Sequence, residues 1–208
     1  MTPWDPEMVR AGAVAELASW GIVPPDDLPR LTPREARSVD DVVGRAQALY
    51  GVLDIVHGAP VDAVYAAVAA LGADRWISPL ERRYILGVTA GTPDVDAEYQ
   101  LGWRSEALYT LVWLLRLAPE LPLTRALDLR PEYFRPVDAQ LGPAPPGLTL
   151  RPVPEIAAKL DLFVCAHWAA RERELPADLE PSAIPQRRHA LAWYLDGDAD
   201  WDDVRLDA

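Results

Sequence analysis

Leu101-Gly-Trp-Arg-Ser-Glu-Ala-Leu-Tyr-Thr-Leu-Val-Trp-Leu-Leu-Arg-Leu117 is apolar almost all the way round a helical projection, with Arg104 and Glu106 set inside it. A helix with no polar face is buried among other helices, so this stretch predicts the middle of a helical bundle. Ala157-Ala-Lys-Leu-Asp-Leu-Phe-Val-Cys-Ala-His-Trp-Ala-Ala170 reads the same way, interrupted by Asp161 and His167. Outward from these two, periodic apolar positions mark further helices. Val9, Ala13, Leu17 and Trp20 carry a first one, and Val39, Val42, Ala46, Leu49, Leu53 and Val56 a second. Val61, Val64, Val68 and Leu71 carry a third, ending at Gly72.

The 21 prolines fit this helical reading because many stand where helices begin. Thr2-Pro-Trp-Asp5, Thr32-Pro-Arg-Glu35 and Ser78-Pro-Leu-Glu81 share one grammar: a hydroxyl N-cap, proline at N1 and a carboxylate at N3. Thr92-Pro93-Asp94 is a looser version. The expected helices then run over 79–86, 94–117, 153–174 and 183–195, with turns over 124–141. No segment alternates apolar and polar residues over five positions between turn signals. The expectation is an all-α protein: a compact multi-helix bundle of about seven to nine helices with little or no β structure. The reading gives one helical domain over 1–208, with candidate sub-lobes 1–140 and 148–208 joined by Leu141-Gly-Pro-Ala-Pro-Pro-Gly147.

Composition narrows the function classes. The formal charge is −12, from 32 acidic against 20 basic residues, and the basic residues are scattered singly or in pairs. A phosphate backbone would be repelled, which argues against nucleic acid as a partner. Cys165 is the single cysteine, so neither an intrachain disulfide nor a multi-cysteine zinc site can form, as suits a reducing cytoplasm. MTPWDPEMVR lacks the charged and apolar regions of a signal peptide, and the apolar run 107–118 is broken by Arg116 and too short to span a bilayer. A cytoplasmic, non-membrane protein is expected.

Charges inside apolar helices are the candidate chemistry. A buried charge left without its partner costs about 3 to 5 kcal/mol, so Arg104, Glu106, Asp161 and His167 require partners, and Arg104 with Asp161 is the preferred pair. Read structurally, such ions fix helix register. Read functionally, they floor a pocket lined by Trp103, Trp168 and Trp193, with Arg188 and His189 beside it. Asp161 and His167 lie six residues apart and so point about 120° away from each other, which rules out a dyad between them alone. His189 and Trp193, four apart, share a face and would stack. His57 complements a helix C-terminus and is assigned no chemistry. Cys165, between Val164 and Ala166, reads as a small core residue. No catalytic residue and no cofactor is expected. Asp196, Asp198, Asp200 and Asp207 fall at positions one, three, five and twelve of a calcium-type loop. Trp201 stands where such a loop needs glycine, so the favoured reading is a solvated tail anchored by Trp201.

The strings WRSEALYTLVWLL, LDLFVCAHWAAR, RRHALAWYL and DWDDVRLD resemble the bacterial family described as domain of unknown function 4272. Softer similarity extends through Leu28-Pro29, Arg37-Ser38 and Arg45–Leu49, so the resemblance covers most of the chain. Gln186, Ala192 and Ala208 depart from the family's habit of Glu, Asn and Thr. The resemblance implies a stand-alone, mostly helical bacterial protein and carries over no catalytic residues. Two function classes stay open. One is a non-catalytic protein-binding module, regulatory or immunity-type, whose acidic surface meets a basic protein partner. The other is a small-ligand binder or hydrolase-like enzyme using the Trp-lined interior with Arg104, Glu106, Asp161 and His167. The absence of a phosphate loop, nucleophile elbow or HExxH motif weighs against the enzyme.

Overall fold

The computed structural model describes residues 4–32, 34–124, 127, 129–172 and 175–206. It is all-α: among the described residues there are eight α-helices of two turns or more, one single-turn helix and no strand. The longer helices are α1 (Pro6–Ala18), α2 (Val39–Val56), α3 (Val61–Ala70), α4 (Pro79–Thr89), α5 (Val95–Gly102) and α6 (Arg104–Leu114), then α8 (Val153–Glu172) and α9 (Ala183–Leu195). The single turn, α7, is Pro131–Phe134. Short 3-10 turns occupy Ala73–Trp76, Arg135–Val137, Ala139–Leu141 and Trp201–Asp203.

The chain divides into two compact units, Met1–Arg37 with Glu120–Leu127 and Arg151–Ala208, and Ser38–Pro119 with Asp128–Leu150. The division differs from lobes meeting at 141–147: the first 37 residues belong with the last helices, and the Pro/Gly stretch lies inside the second unit. In the first unit, α1 and α9 both pack on α8. Leu17, Ile156, Phe163, Ile184 and Leu191 are fully buried there. An isolated antiparallel bridge joins Thr124 to Leu179. In the second unit α2 is the axis, touching α3, α4, α5 and α6. Its core gathers Ala48, Val52 and Ile55 of α2 with Val64 and Val68 of α3, Tyr84 and Ile85 of α4, and Leu101 of α5. Gly51 permits the close approach of α3, since a Cβ there would lie 2.7 Å from Val68 and 3.1 Å from Val64.

Local signals were obeyed where nothing competed. Ser78 caps α4 with Pro79 at N1, and Glu81 returns the bond to the Ser78 N–H, a complete capping box. Two other starts shift along the chain: Asp5, expected at N3, is itself the N-cap of α1, and Asp94 rather than Thr92 caps α5, because each carboxylate places an oxygen directly on the free N–H groups of the first turn. Thr2, Pro3 and Pro33, parts of the expected starts, lie outside the described residues.

Two expected helices are corrected. Thr32-Pro-Arg-Glu35 starts no helix; α2 begins at Val39, capped by Ser38 with Asp41 in a reciprocal box. Residues 35–37 are instead held by α9 and the loop after it: Arg37 N–H donates to Tyr194 O and Gly197 N–H to Glu35 O, both at 3.0 Å. The stretch 94–117 is two helices, because at Gly102-Trp103 the ladder tightens and Glu106 N–H bonds Trp103 O, three residues back. α6 stops at Leu114, where Arg116 adopts φ 62°. Residues 107–114 are all buried as foreseen, whereas Trp103, Arg104 and Glu106 are half-buried.

Candidate functional site

Asp161 is buried on α8, and its partner is Arg10 of α1 in place of the expected Arg104. Arg10 Nε donates to Oδ2 at 2.7 Å and Nη2 to Oδ1 at 2.9 Å, while Nη1 and Nη2 also reach Leu28 O and Pro29 O. A planar fork against both carboxylate oxygens fixes the approach of α1 to α8 and commits Asp161 to that pairing. The sequence did hold a signal for Arg10. With Ala13 and Leu17 it lies on one buried helical stripe, at i, i+3 and i+7.

His167, six residues along α8, accepts through Nδ1 from Arg188 Nη1 at 2.8 Å. A guanidinium is always a donor, so the imidazole is neutral with its proton on Nε2. Burial, with the charges of Arg188 and Arg171, pushes the imidazole down to about 4. Arg188 also donates to Leu206 O at 3.0 Å, tying the tail to α9.

Trp201 folds back and is buried, edge-on to both His189 (4.7 Å) and Trp193 (5.2 Å). The stacking expected between His189 and Trp193 is thus shared through Trp201. The Arg37 guanidinium lies 4.2 Å over the Trp193 ring and donates to Trp193 O and Ala199 O. A cation at the C-terminal carbonyls of α9 complements its dipole. His189, Trp193 and Trp201 are all buried. Trp168 is half-buried on α8.

Trp103, Arg104 and Glu106 belong to the second unit, so the nine candidate residues do not form a single cluster within either unit. In the second unit Arg45 of α2 forms a buried ion pair with Glu81 of α4, which sequence reasoning missed. Arg45 shares a stripe with Val42, Leu49 and Val52, and its own apolar neighbours were the available signal. Burial alone would push the Glu81 carboxyl up. The charge and hydrogen bonds of Arg45, the Ser78 N–H and the charge of Arg104 reverse that and hold it below its ordinary value. Cys165 is fully buried and its thiol is pushed up to about 11 by burial and then by Asp161, as suits an unreactive core residue.

On the second unit's surface, α3 and α4 leave an open groove of about 380 Å³ lined by Val61, Asp62, Tyr65, Ala66, Arg82, Ile85, Leu86 and Thr89. Leu86 is 69% exposed. The Arg82 guanidinium is turned to Ile77 O and Asp74 O. On the first unit a cleft is lined by Trp4, Leu31, Thr32, Arg34, Leu160, Ala192, Leu195 and Asp196.

Of the tail carboxylates, Asp196 pairs with Arg34, and Asp207 lies outside the described residues. Among the described residues no three His, Cys, Asp or Glu side chains are grouped to hold a metal ion, and no helix is long and apolar enough to cross a membrane. No curated protein and no solved structure matches the chain. Residues 10–204 match the family described as domain of unknown function (DUF4272), and with nearly the whole length covered the chain belongs to that family.

Proposed function

We propose that this DUF4272 protein is a non-catalytic binding module, regulatory or immunity-type, that seats the apolar face of a helix from a basic protein partner in the α3–α4 groove. The observation that carries the reading is the groove itself, about 380 Å³ of mainly apolar wall with Leu86 left 69% exposed at its edge. Contiguous apolar surface rimmed by charge marks a partner site, and a two-helix groove accepts an amphipathic helix through side chains at i, i+3 and i+7. The formal charge of −12 steers a basic partner toward this surface and repels an acidic one. Asp62 at the groove offers an ion pair, because Arg82 beside it is already engaged with backbone carbonyls. The interior charges support a binding role: Asp161 is spent on Arg10, Glu81 on Arg45, and His167 is an acceptor for Arg188.

The test compares tagged wild type with Leu86→Asp and, as control, Met8→Asp, which alters an exposed apolar residue of the first unit. Each is used to capture partners from the producing cells at low and moderate salt, with mass-spectrometric readout. The captured partner's helical segment is then titrated as a purified peptide. A stoichiometric basic partner kept by wild type and Met8→Asp, and lost by Leu86→Asp and by salt, is the expected result. Capture that ignores Leu86→Asp, or no stoichiometric partner at all, overturns the reading.

A further inference from the structure

Two carboxylates of the second unit meet on one residue. Gln140 donates its backbone N–H to Asp138 Oδ1 at 2.9 Å and its side-chain Nε2–H to Asp54 Oδ2 at 2.7 Å. The first bond caps the 3-10 turn Ala139–Leu141, and the second fastens that turn to α2, 86 residues away in sequence. The turn also packs on α3, and Ala139 enters the core that α2 and α3 share through Val52, Val64 and Val68.

The fastening brings like charges together. Asp54 and Asp138 are both half-buried. Burial pushes the Asp54 carboxyl up from its ordinary value and the Asp138 charge pushes it further, against the Gln140 bond and the charge of His57, which pull it down. The Tyr50 hydroxyl, one turn before Asp54 on α2, is pushed up by burial and then by the same two carboxylates. Both charges therefore face one partly desolvated spot. His57, exposed at the end of α2, is turned through Nδ1 to Leu53 O at 2.7 Å. Arg135 of the preceding turn is exposed, and the ionisable residues of α3, Asp62 and Tyr65, line the groove with α4.

The two hydrogen bonds of Gln140 need acceptor oxygens and not charges. A proton on Asp54 removes one of the two like charges and leaves a carboxyl oxygen able to accept from Gln140, so it relieves the repulsion without unfastening the turn. We infer that Asp54, Gln140 and Asp138 form a proton-sensitive clasp, which holds residues 135–141 more tightly to α2 as the pH falls and loosens them toward neutrality. The sign follows from linkage. Asp54 is raised in the folded state, so its contribution to stability is complete below the ordinary value of 3.8 and is lost as the pH rises through the folded value. The direction is opposite to that of His167 and Glu81, which are both shifted downward.

The experiment follows the full chain by NMR between pH 7 and 4. It reads the aspartate carboxyl carbons and the exchange protection of the Leu141 and Gly142 amides, which bond Asp138 O and Ala139 O. Wild type is compared with Asp54→Asn and Asp138→Asn, because each side-chain amide keeps an acceptor for Gln140 and deletes one charge. In wild type, Asp54 titrates above an ordinary aspartate and protection rises about two- to fivefold on acidification. General weakening of the fold by acid would lower protection, so a rise reports the clasp. In Asp138→Asn the Asp54 titration moves down toward the ordinary value, and protection at pH 7 is higher by about the same factor. In Asp54→Asn the rise on acidification disappears. Should one variant fail to fold, the other and the wild type still read the clasp. Wild-type protection that stays level or falls in acid overturns the inference. So does an Asp54 titration unmoved by Asp138→Asn, or a rise on acidification that survives Asp54→Asn.

Discussion

One oxygen, Glu81 Oε2, serves two donors: Arg45 Nη1 at 2.8 Å and the Ser78 backbone N–H at 2.9 Å. The residue that completes the capping box of α4 is thereby also the counter-ion of a fully buried arginine on α2. The two roles differ in magnitude. A cap contributes about 1 kcal/mol, whereas a buried charge stripped of its partner costs about 3 to 5 kcal/mol. Ser78→Ala is therefore expected to lower stability by about 1 kcal/mol and Glu81→Gln by about 3 to 5 kcal/mol. Arg45→Met with Glu81→Leu recovers most of that loss, read from urea unfolding midpoints at constant m.

Acid destabilises the fold in two stages, and the sign differs in origin but not in direction. The His167 imidazole takes a proton at about 4 when folded against 6.5 for an ordinary histidine, so between these values the unfolded chain binds more protons. Stability therefore falls as the pH drops from 6.5 to 4 and levels off below. The contribution is roughly 1 to 2 kcal/mol once screening at this half-buried position is allowed for. Glu81 is held below its ordinary 4.5, so its contribution is present above that value and is lost on further acidification through the folded value. Urea midpoints measured from pH 7 to 3 check both stages. His167→Gln, whose amide oxygen still accepts from Arg188, is expected to flatten the first and spare the second.

The same substitution at two helical glycines has opposite outcomes. At Gly12 on α1 a Cβ meets nothing within 4 Å, so Gly12→Ala stabilises by about 0.5 to 1 kcal/mol through helix propensity. At Gly51 on α2 the Cβ would press on Val64 and Val68, both buried and unable to retreat. Gly51→Ala is expected to cost about 1 to 3 kcal/mol despite the same propensity gain. Thermal unfolding of the two variants side by side settles it.

Arg116 closes α6 in the left-handed region at φ 62°, with its N–H on Trp113 O and Leu117 N–H on Val112 O. Gly58 and Gly91 end α2 and α4 in the same bonding pattern, where the missing Cβ removes the strain. Arg116 is exposed, so nothing but backbone geometry is at stake in its side chain's loss. Arg116→Gly is expected to raise stability by about 1 kcal/mol, measured by thermal or urea unfolding.

Cys165 should resist thiol reagents in the folded protein, being buried within α8 and raised to about 11. Labelling by a chromogenic disulfide at pH 8 is expected to proceed at the rate of global opening and to accelerate with urea. Fast labelling of the native protein would contradict the burial.

Local chemistry made much of the fold legible from the sequence. Ser78-Pro-Leu-Glu81 specifies its own helix start, and the all-round apolar stretches specify burial of α6 and α8, because caps and periodicity act within a few residues. Trp201 as the anchor of the tail was readable too, since a large ring among carboxylates has to find cover. Partner choice was not readable. Asp161 announced that it needed a cation, but Arg10 and Arg104 satisfy that need equally in one dimension, and 151 residues separate Asp161 from the one it takes. Thr32-Pro-Arg-Glu35 carries a valid helix start that tertiary bonds from Tyr194 and Gly197 overrule. The α3–α4 groove and the Trp4–Asp196 cleft belong wholly to the tertiary structure, because a cavity is set by which side chains fail to meet. The sequence determined which groups must be buried, capped or paired, since those costs are local free energies. The packing of the helices alone decided which distant residue answered each demand.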